Sequence, residues 1–569
     1  MIILILLLAA SSEFKVGLIE IHDNEYFSDK EIKQIMLTKT PALFRSGAFK
    51  QEIFAGDITA ITNLYKYSGF LDVDVTYDIA FDSITGKVAI DISIAENNQT
   101  FLRDITFKGN TLFDDAALLD AVTTIPGEPF NQQKMDFDNY VLTSLYDDQG
   151  YADATVLTSR QVDDTSARIT HDITEGEKQF VHSIEIMGLA RTGRSSVLRE
   201  IILKPGDIFR YALVLQSQRN LYNLGIFKTI RVDARNAPIR NQKIVQFTLT
   251  ESDAIHADLR LGYGTRDRVR IGAGVTHNNL FGRVWRAQID GKLSFIEYRV
   301  STRLTFPRFF VLPVRHSVGA FFQVREEIGF TTRTIGAQYK VHFMVLNGDF
   351  STQYEVERTH TSYNDTTPST DTWLHGVSFN WLKDTRNDPL TTRRGEYVIL
   401  GVETSGIMLP ADVHYVRPTA EFRIFRPFGI LITGLSMKTG IAEPVSPSID
   451  IPVHKRFYCG GTTSVRGYGE WTIGPRDEDG NPTGGNILYE GSAEIRIPLY
   501  RILGAAVFID WGNAWQTYDD LNASLRWGSG VGIRIKTPLG SIRLDYGWKI
   551  APREEETAGA WHFAIGEAF

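Results

Sequence analysis

Two patterns of apolar and polar residues divide the chain near residue 253. Before that point, short alternating segments are separated by stretches with helical spacing, as at Ile58, Ile61 and Tyr65. From about residue 254 onward, strict alternation replaces the helical spacing. The pattern predicts an α+β half of the protein, followed by a half that is built from strands.

The first half repeats itself at intervals of about 80 residues. Residues 125–130 (IPGEPF) match residues 204–209 (KPGDIF), and a glycine follows the second helical segment at Gly69, Gly150 and Gly225. Each unit reads as one strand, two helical segments and two further strands, a β-α-α-β-β order. The predicted units span residues 13–99, 100–178 and 179–253.

Each predicted unit is a small α+β domain with a three-stranded sheet. Such a sheet leaves an edge open, and an open edge is a template for a strand from another chain. The units are therefore either docking modules or plain spacers, and the sequence leaves both interpretations open.

The strands of the second half carry charge opposite their apolar rows. Val300 and Leu304 alternate with Arg299 and Arg303, so that charged side chains lie at the centre of a strand. A soluble sandwich also alternates, with its apolar face turned inward. Charged residues at strand centres and aromatic residues near strand ends favour a transmembrane barrel instead.

The length of the second half fits a barrel of a particular size. Residues 254–569 allow roughly sixteen strands at about 20 residues for each strand and its connection. We expect long connections at 359–372 and 443–485 on one side of the membrane. Short connections, such as residues 538–540, would lie on the other side.

Composition excludes several classes of function. The net charge of −8 and the pI near 5.9 give no reason to expect a nucleic-acid partner. One cysteine, Cys459, cannot form an internal disulfide, and neither an HExxH nor a Gly-x-Ser-x-Gly motif is present. We therefore predict no catalytic residue, no metal and no cofactor.

The chain opens with a short apolar run. Residues 2–8 are all apolar and are followed by small residues, whereas a bilayer span needs about 20 residues. Residues 1–12 are similar to the apolar core and cleavage site of a signal peptide, although the basic residues are missing. We expect an exported protein; a frayed apolar N-terminus is the alternative.

A glycine-rich segment in the last quarter carries an arginine of the buried type. Gly460 and Gly461 allow close backbone approach, and they precede Val465-Arg466-Gly467-Tyr468, in which Gly467 permits a positive φ. A guanidinium inside a barrel requires a partner. The alternative is a solvated arginine in a loop.

The predicted partner of Arg466 is an aspartate on a strand. In residues 508–512 (FIDWG), Asp510 points away from the apolar row and therefore into the lumen, and it lies between Phe508 and Gly512. A bidentate pair between Arg466 and Asp510 could hold a long loop inside the barrel, which a lysine could not do in the same way.

These motifs together resemble those of the Omp85 superfamily. Residues 277–282 (HNNLFG) and 384–395, which begin DTRNDP and end in Gly395, add to the resemblance. The repeated units resemble POTRA domains, and three of them are typical of the TamA-like branch. The resemblance implies three β-α-α-β-β POTRA domains followed by a 16-stranded antiparallel transmembrane β-barrel in residues 254–569.

The resemblance also implies the roles of particular segments. The sixth extracellular loop, about 443–486, would enter the lumen, where Arg466 would bond to Asp510 and to Glu494, which faces the lumen by alternation. The first and last strands, roughly 256–264 and 560–569, would meet at a weak seam. The last strand resembles a C-terminal insertion signal, carried by Trp561, Phe563, Ile565, Gly566 and Phe569.

The function that the resemblance implies is assembly of proteins in the outer membrane of a Gram-negative bacterium. The POTRA domains would lie in the periplasm and would receive unfolded outer-membrane or autotransporter clients, or a TamB-like partner. Client strands would pair at the seam and leave sideways into the lipid bilayer. The main alternative is a two-partner-secretion pore that exports a protein through the lumen; an outer-membrane phospholipase and a passive porin are weaker alternatives.

Overall fold

The computed structural model describes most of the chain in two compact units. The described residues are 14–41, 47–308, 314–364, 367–389, 391–407, 409–500, 502–521, 524–537, 540–554 and 556–565. The first unit comprises Met1–Gly188, Val197–Asn223 and Thr229–Thr250. The second unit comprises Leu189–Ser196, Leu224–Lys228 and Glu251–Phe569. The leader-like residues 1–12 lie outside the described residues.

Three repeats of the same order precede the barrel. Each has a three-stranded mixed sheet in which the last strand of the repeat lies in the middle, in the orders β1-β3-β2, β4-β6-β5 and β7-β9-β8. The elements are β1 (Lys15–His22), α1 (Asp29–Ile35), α2 (Gln51–Tyr67), β2 (Asp74–Asp82), β3 (Lys87–Ala95), β4 (Phe101–Lys108), α3 (Asp115–Ala121), α4 (Gln132–Asp148), β5 (Thr155–Asp163), β6 (Ser166–Thr174), β7 (Phe180–Met187), α5 (Arg194–Leu198), α6 (Tyr211–Asn223), β8 (Phe227–Asn236) and β9 (Gln242–Glu251).

The first repeat shows why these residues fold in this way. α1 begins with a capping box, in which Ser28 and Glu31 bond to each other's backbone N–H groups. α2 buries Phe54, Ile61 and Tyr65 against the sheet, as its helical spacing predicts. Among the described residues, no helix is long and apolar enough to cross a membrane.

A buried polar residue on the second helix holds the preceding loop in each repeat. The carboxylate of Asp57 accepts hydrogen bonds from the backbone N–H groups of Leu37 and Thr38, at 2.6 and 2.8 Å. Asp138 does the same for Thr123 and Thr124 in the second repeat. In the third repeat, the hydroxyl of Ser217 accepts from the N–H of Ile202. These bonds satisfy buried backbone donors that lie outside regular structure.

The remaining strands close into an antiparallel barrel. Sixteen long strands follow one another around it, and the two-residue β21 extends the pairing of β19. They are β10 (Ile255–Gly264), β11 (Arg268–Leu280), β12 (Trp285–Ser294), β13 (Glu297–Phe306), β14 (Arg315–Glu327), β15 (Phe330–Val345), β16 (Gly348–Tyr363), β17 (Thr370–Asp384), β18 (Gly395–Ser405), β19 (Tyr415–Phe428), β20 (Leu431–Ile441), β21 (Glu443–Pro444), β22 (Ile487–Tyr500), β23 (Leu503–Trp515), β24 (Arg526–Thr537), β25 (Gly540–Ile550) and β26 (Gly559–Ile565). The predicted fold class is confirmed.

The prediction of a long connection at residues 359–372 is wrong. β16 continues to Tyr363 and β17 begins at Thr370, so the connection is confined to residues 364–369. Thr359 and Thr361 are buried, and the Thr359 hydroxyl lies 3.0 Å from that of Thr334. The polar residues at both ends of this range belong to two long strands.

The alternation places apolar side chains outside and charged ones inside. Leu259, Val300 and Ile335 are well exposed on the outer surface, as expected for side chains that face lipid. Glu494 and Asp510, in contrast, are almost fully buried. The buried charges are therefore solvated by the rest of the protein, and the loop between β20 and β22 supplies their main partner.

Candidate functional site

The loop at residues 442–486 packs by means of its own apolar core. Val465 and Tyr468 are buried together with Phe457 and Ile473 of the loop and with Leu488 of β22. The loop is closed by reciprocal backbone hydrogen bonds between Phe457 and Gly485, both at 2.8 Å. This packing fixes the backbone on either side of Arg466.

Arg466 forms a bidentate ion pair with Asp510. Its Nε lies 2.8 Å from Asp510 Oδ2, and its Nη2 lies 2.9 Å from Asp510 Oδ1. The backbone N–H of Arg466 donates to the same carboxylate at 3.0 Å. Both residues are almost inaccessible to solvent, at 1% and 0% exposure. Two N–H groups of the guanidinium thus donate to the two oxygens of the same carboxylate, which is the bidentate arrangement that arginine favours.

Two further carboxylates contact the other side of the guanidinium. Arg466 Nη1 lies 2.9 Å from Glu494 Oε2 and 3.2 Å from Asp545 Oδ2. The ring of Phe508 contacts the guanidinium, with its centroid 3.3 Å from Cζ. Arg466 therefore joins β22, β23 and β25, each through one acidic side chain.

Further arginines pair with the carboxylates that bind Arg466. Glu494 also binds Arg496 at 2.8 Å and Arg534 at 3.1 Å, and Arg534 binds Asp545. Charges that are removed from water are expensive unless geometry and hydrogen bonding compensate. Removal of Arg466 would take the cation away from the buried Asp510, whereas Glu494 and Asp545 would keep Arg534.

Glycines make room for the loop against the barrel wall. Gly467 has a φ of 96°, and a Cβ on it would lie 3.1 Å from the backbone of Gly547. A Cβ on Gly528 would overlap with the carbonyl oxygen of Arg466. Gly460 and Gly461 also have positive φ values, as the sequence predicts.

Gly512 leaves the space that Cys459 occupies. A Cβ on Gly512 would lie 2.9 Å from the Sγ of Cys459, which is fully buried. The thiol sits 3.5 Å from the hydroxyl of Ser464. The single cysteine is thus a small packing residue between the loop and β23.

The first and last barrel strands meet where β10 ends. Among the described residues, β10 pairs with β26 at Gly264 and Ala564, and Thr265 exchanges hydrogen bonds with the backbone of Phe563. β26 pairs with β25 along its whole described length, in contrast. We call the β10–β26 junction the seam.

Comparison with known proteins gives the family. Residues 279–569 match the model of the Omp85 superfamily domain, and residues 14–97, 101–176 and 180–252 match the POTRA model, described as a surface antigen variable number repeat. The chain belongs to the Omp85 superfamily. It is an outer-membrane β-barrel protein whose POTRA domains lie in the periplasm.

Individual relatives support the same assignment. Outer membrane protein assembly factor BamA of Neisseria meningitidis serogroup B is 25% identical over 98% of this chain and 78% of its own length. BamA of Nitratidesulfovibrio vulgaris is 23% identical over 100% of this chain and 75% of its own length. The crystal structure of BamA from Haemophilus ducreyi lacking POTRA domains 1-3 is similar in fold, with a TM-score of 0.72 at 17% identity; it covers 82% of this chain and 99% of that one. The closer resemblance to the TamA-like branch stays a prediction.

The last strand of this Omp85 protein carries three of the predicted signal residues on one face. Of these, Trp561 is exposed on the outer surface, and Phe563 and Ile565 are half-buried. Gly566 and Phe569, which complete the predicted insertion signal, lie outside the described residues.

One residue of the last strand was missed by the sequence analysis. His562 is buried, and its Nε2 accepts the backbone N–H of Gly467 at 2.9 Å, while its Nδ1 lies 3.2 Å from the Thr462 hydroxyl. The same alternation that places Asp510 in the lumen also applies to His562, Asp545 and Ser492. The alternation therefore places these residues in the lumen, although it does not show which of them contact the loop.

The two further motifs lie at turns between strands. In residues 277–282, the side-chain carbonyl of Asn279 accepts the N–H of Val284, and its amide donates to Thr192 at 2.8 Å. In residues 384–395, the Arg386 guanidinium donates two hydrogen bonds, of 2.9 and 2.7 Å, to the carboxylate of Asp384. Both motifs shape a turn by side-chain hydrogen bonds.

A single group among the described residues could present three ligand atoms to a metal ion. It consists of Glu20, His22 and Asp91 in the first repeat, and all three are exposed. It lies on a sheet surface where His22 and Asp91 already contact each other at 3.1 Å.

Proposed function

We propose that this protein assembles β-barrel proteins into the outer membrane. Client strands would pair with β10 at the seam and would leave sideways into the bilayer. The observation that carries the proposal is the seam itself, where pairing among the described residues is confined to the end of β10 next to Thr265. The names of the BamA relatives agree with this role.

The physical reason lies in the backbone of β10. In lipid, each backbone N–H and C=O group must find a partner within the protein, because no water is present. A strand whose outer edge lacks a neighbour is therefore a template for an incoming strand. A client that folds buries its own apolar band in lipid, so the protein need only lower the kinetic barrier.

Arg466 and its carboxylates would hold the loop in place during assembly. Their geometry suits a structural role, since the guanidinium is saturated by Asp510, Glu494 and Asp545. We propose that this latch keeps the lumen filled and the barrel in its working shape. It would transfer no proton, and the proposed role is not enzymatic.

The POTRA domains would receive clients or a periplasmic partner along their sheet edges. β2, β5 and β8 each lie at the edge of a sheet. Exposed apolar residues on opposite faces of β5, Leu157 and Val162, could contact side chains of an added strand. Unfolded outer-membrane clients and a TamB-like protein are the partners that we propose.

Export through the lumen is the alternative function. It requires an open passage, whereas the loop at 442–486 buries Val465, Arg466 and Tyr468 against lumen-facing strands. The packing of the loop therefore favours assembly over export.

A reversible lock across the seam tests the proposal. In a Cys459→Ser background, Thr265→Cys and Phe563→Cys place two thiols where β10 and β26 touch. In proteoliposomes, the oxidised protein should fail to insert a urea-unfolded barrel client, and reduction should restore insertion. The matched control is Leu293→Cys with Tyr298→Cys, which face each other on β12 and β13. Full insertion by the oxidised seam variant would contradict the proposal.

A further inference from the structure

Trp471 of the loop is held between a cation and an aromatic ring. The guanidinium of Arg266 lies 3.9 Å from the centroid of the Trp471 ring, and the ring of Tyr458 stacks at 3.9 Å with an angle of 20° between the planes. Contact of this kind between arginine and tryptophan is favourable, more so when it is partly desolvated. The indole is therefore a fixed part of the loop.

Arg266 is itself held in position. Its Nη2 lies 2.6 and 2.5 Å from the two carboxylate oxygens of Glu327, which is almost fully buried at the end of β14. Arg325 binds the same carboxylate, and its guanidinium lies 5.9 Å from the Trp471 ring. The Arg266 guanidinium is thus held between the Glu327 carboxylate and the Trp471 ring.

Arg266 lies next to the seam, so its contact with Trp471 bears on how β10 is held. Arg266 lies in the turn between β10 and β11, directly after Thr265, whose hydrogen bonds to Phe563 make up the seam. β10 pairs with β11 along its full length, so the two strands move as one hairpin. A force on Arg266 therefore acts on the outer end of β10.

The loop also holds the other side of the seam. His562 of β26 accepts the N–H of Gly467, and Arg466 is bound to β22, β23 and β25. The loop is thus attached to the last strands through Arg466 and His562, and to the first hairpin through Trp471. It bridges the junction at which, among the residues that the structure describes, β10 pairs with β26 at Gly264 and Ala564.

We propose that Trp471 and Arg266 form a clasp that holds the outer end of β10 closed against β26. They are positioning residues, because they act on the seam through the loop and the hairpin. Opening of the seam requires the indole and the guanidinium to separate, and a client strand gains access to β10 when they do. The inference rests on the proposed function for its purpose, although the clasp itself can be tested without a client.

Hydrogen exchange of the seam amides measures the clasp directly. The variants are Trp471→Leu and Arg266→Gln in the full-length protein, with Trp471→Phe and Arg266→Lys as conservative replacements. The peptides that contain the Thr265 and Phe563 amides should exchange about 3 to 30 times faster in the first two variants, which corresponds to a contact of about 0.7–2 kcal/mol. The exchange rates of the conservative variants should fall between these rates and those of the original protein. In the double variant Trp471→Leu/Arg266→Gln, exchange should be only slightly faster than in either single variant.

The matched control is Trp373→Leu on the outer surface. Trp373 also faces an arginine, Arg358, at 5.7 Å, but it lies on β17, away from the seam. Its loss should leave the exchange of the seam amides unchanged. Amides of the β12–β13 ladder report on the whole barrel and should not change in any variant.

Two results would overturn the clasp. One is unchanged exchange at Thr265 and Phe563 in both Trp471→Leu and Arg266→Gln. The other is an equal acceleration of the β12–β13 amides, since that would indicate loss of barrel stability. Client insertion by the original protein is measured separately: without insertion, the proposed function fails while a faster seam still supports the clasp.

Discussion

At the scale of single residues, the position of the loop depends on how one buried cation is satisfied. Arg466 has three carboxylates within 3.2 Å, each on a different strand, and no water-exposed surface to speak of. A buried pair of this kind contributes little net stability compared with an apolar replacement, but breaking it by removal of one partner is costly. Its value here is that it specifies one position for the loop.

Replacement of Arg466 tests whether it fixes the position of the loop. Arg466→Ala leaves Asp510, Glu494 and Asp545 without their shared cation, and we expect a loss of about 3–5 kcal/mol in barrel stability. Arg466→Lys keeps the charge but not the fork, so its loss should be smaller. Denaturant unfolding followed by heat-modifiable electrophoresis measures both. Arg358→Ala, on a half-exposed arginine of the outer surface, should match the original protein; equal stability of Arg466→Ala would refute the role of the latch.

A second residue gives a prediction about pH. Glu251 accepts the backbone N–H groups of Ala190, Arg191 and Thr192, at 2.8–3.2 Å. Burial raises the pKa of Glu251, but the hydrogen bonds from Thr192 and Arg191 outweigh it and lower the pKa to about 2. Because the folded pKa lies below the ordinary value of 4.5, the stabilisation is complete above pH 4.5 and is lost as the pH falls toward 2.

Exchange protection of residues 190–192 should follow this pH dependence. Protection factors, corrected for intrinsic exchange, should stay constant from pH 7 to 5 and fall between about pH 4.5 and 2. Glu251→Gln should lower them already at pH 7, because a neutral amide accepts hydrogen bonds more weakly than a carboxylate. Glu20→Gln, on the exposed surface of β1, is the control. Protection that is independent of Glu251 would show that the loop is held by other contacts.

At the scale of elements, the repeats and the barrel strands were predictable to different degrees. Helical spacing and recurrent glycines give the β-α-α-β-β order, because local periodicity follows from side-chain direction. The same rule turns Asp510 and Glu494 inward. It misjudged residues 359–372, because strands that extend past the apolar band carry polar residues on both faces, as the buried Thr359 and its more exposed neighbour His360 do.

Contacts between distant segments were beyond the reach of periodicity. Arg266 and Trp471 lie 205 positions apart in the sequence, and their contact depends on the irregular path of the loop, where Trp471 has a φ of 62°. Asp545 and His562 stand in regular strands, so alternation places them in the lumen. Their pairing with one loop arginine follows only from the folded loop.

The sheet edges of the POTRA domains give a prediction at the same scale. A photocrosslinking residue at Leu157, on the β5 edge strand, should capture unfolded barrel clients or a periplasmic partner. The same residue at Tyr140, which is equally exposed on α4 of that repeat, should capture neither. Crosslinks of equal yield at both sites would show that the open edge has no special role in binding.

At the scale of the whole molecule, three features concern one junction. Within the part of the chain that the structure describes, pairing across the seam involves Gly264, Thr265 and their partners. The loop contacts β26 through His562 and contacts the β10–β11 turn through Arg266. A junction that is held partly by side chains of a loop can open without loss of the ladders elsewhere. This arrangement suits a protein that must admit strands and release them.

Photocrosslinking from both faces of the barrel in living cells tests the central claim most directly. The reactive residue would replace Leu261, on the outer face of β10, or Phe322, on the outer face of β14, or Thr419, which lines a cavity in the lumen. We expect nascent outer-membrane barrels to be trapped at Leu261 and not at the other two positions. Secreted proteins trapped at Thr419, with no barrel protein trapped at Leu261, would contradict the account.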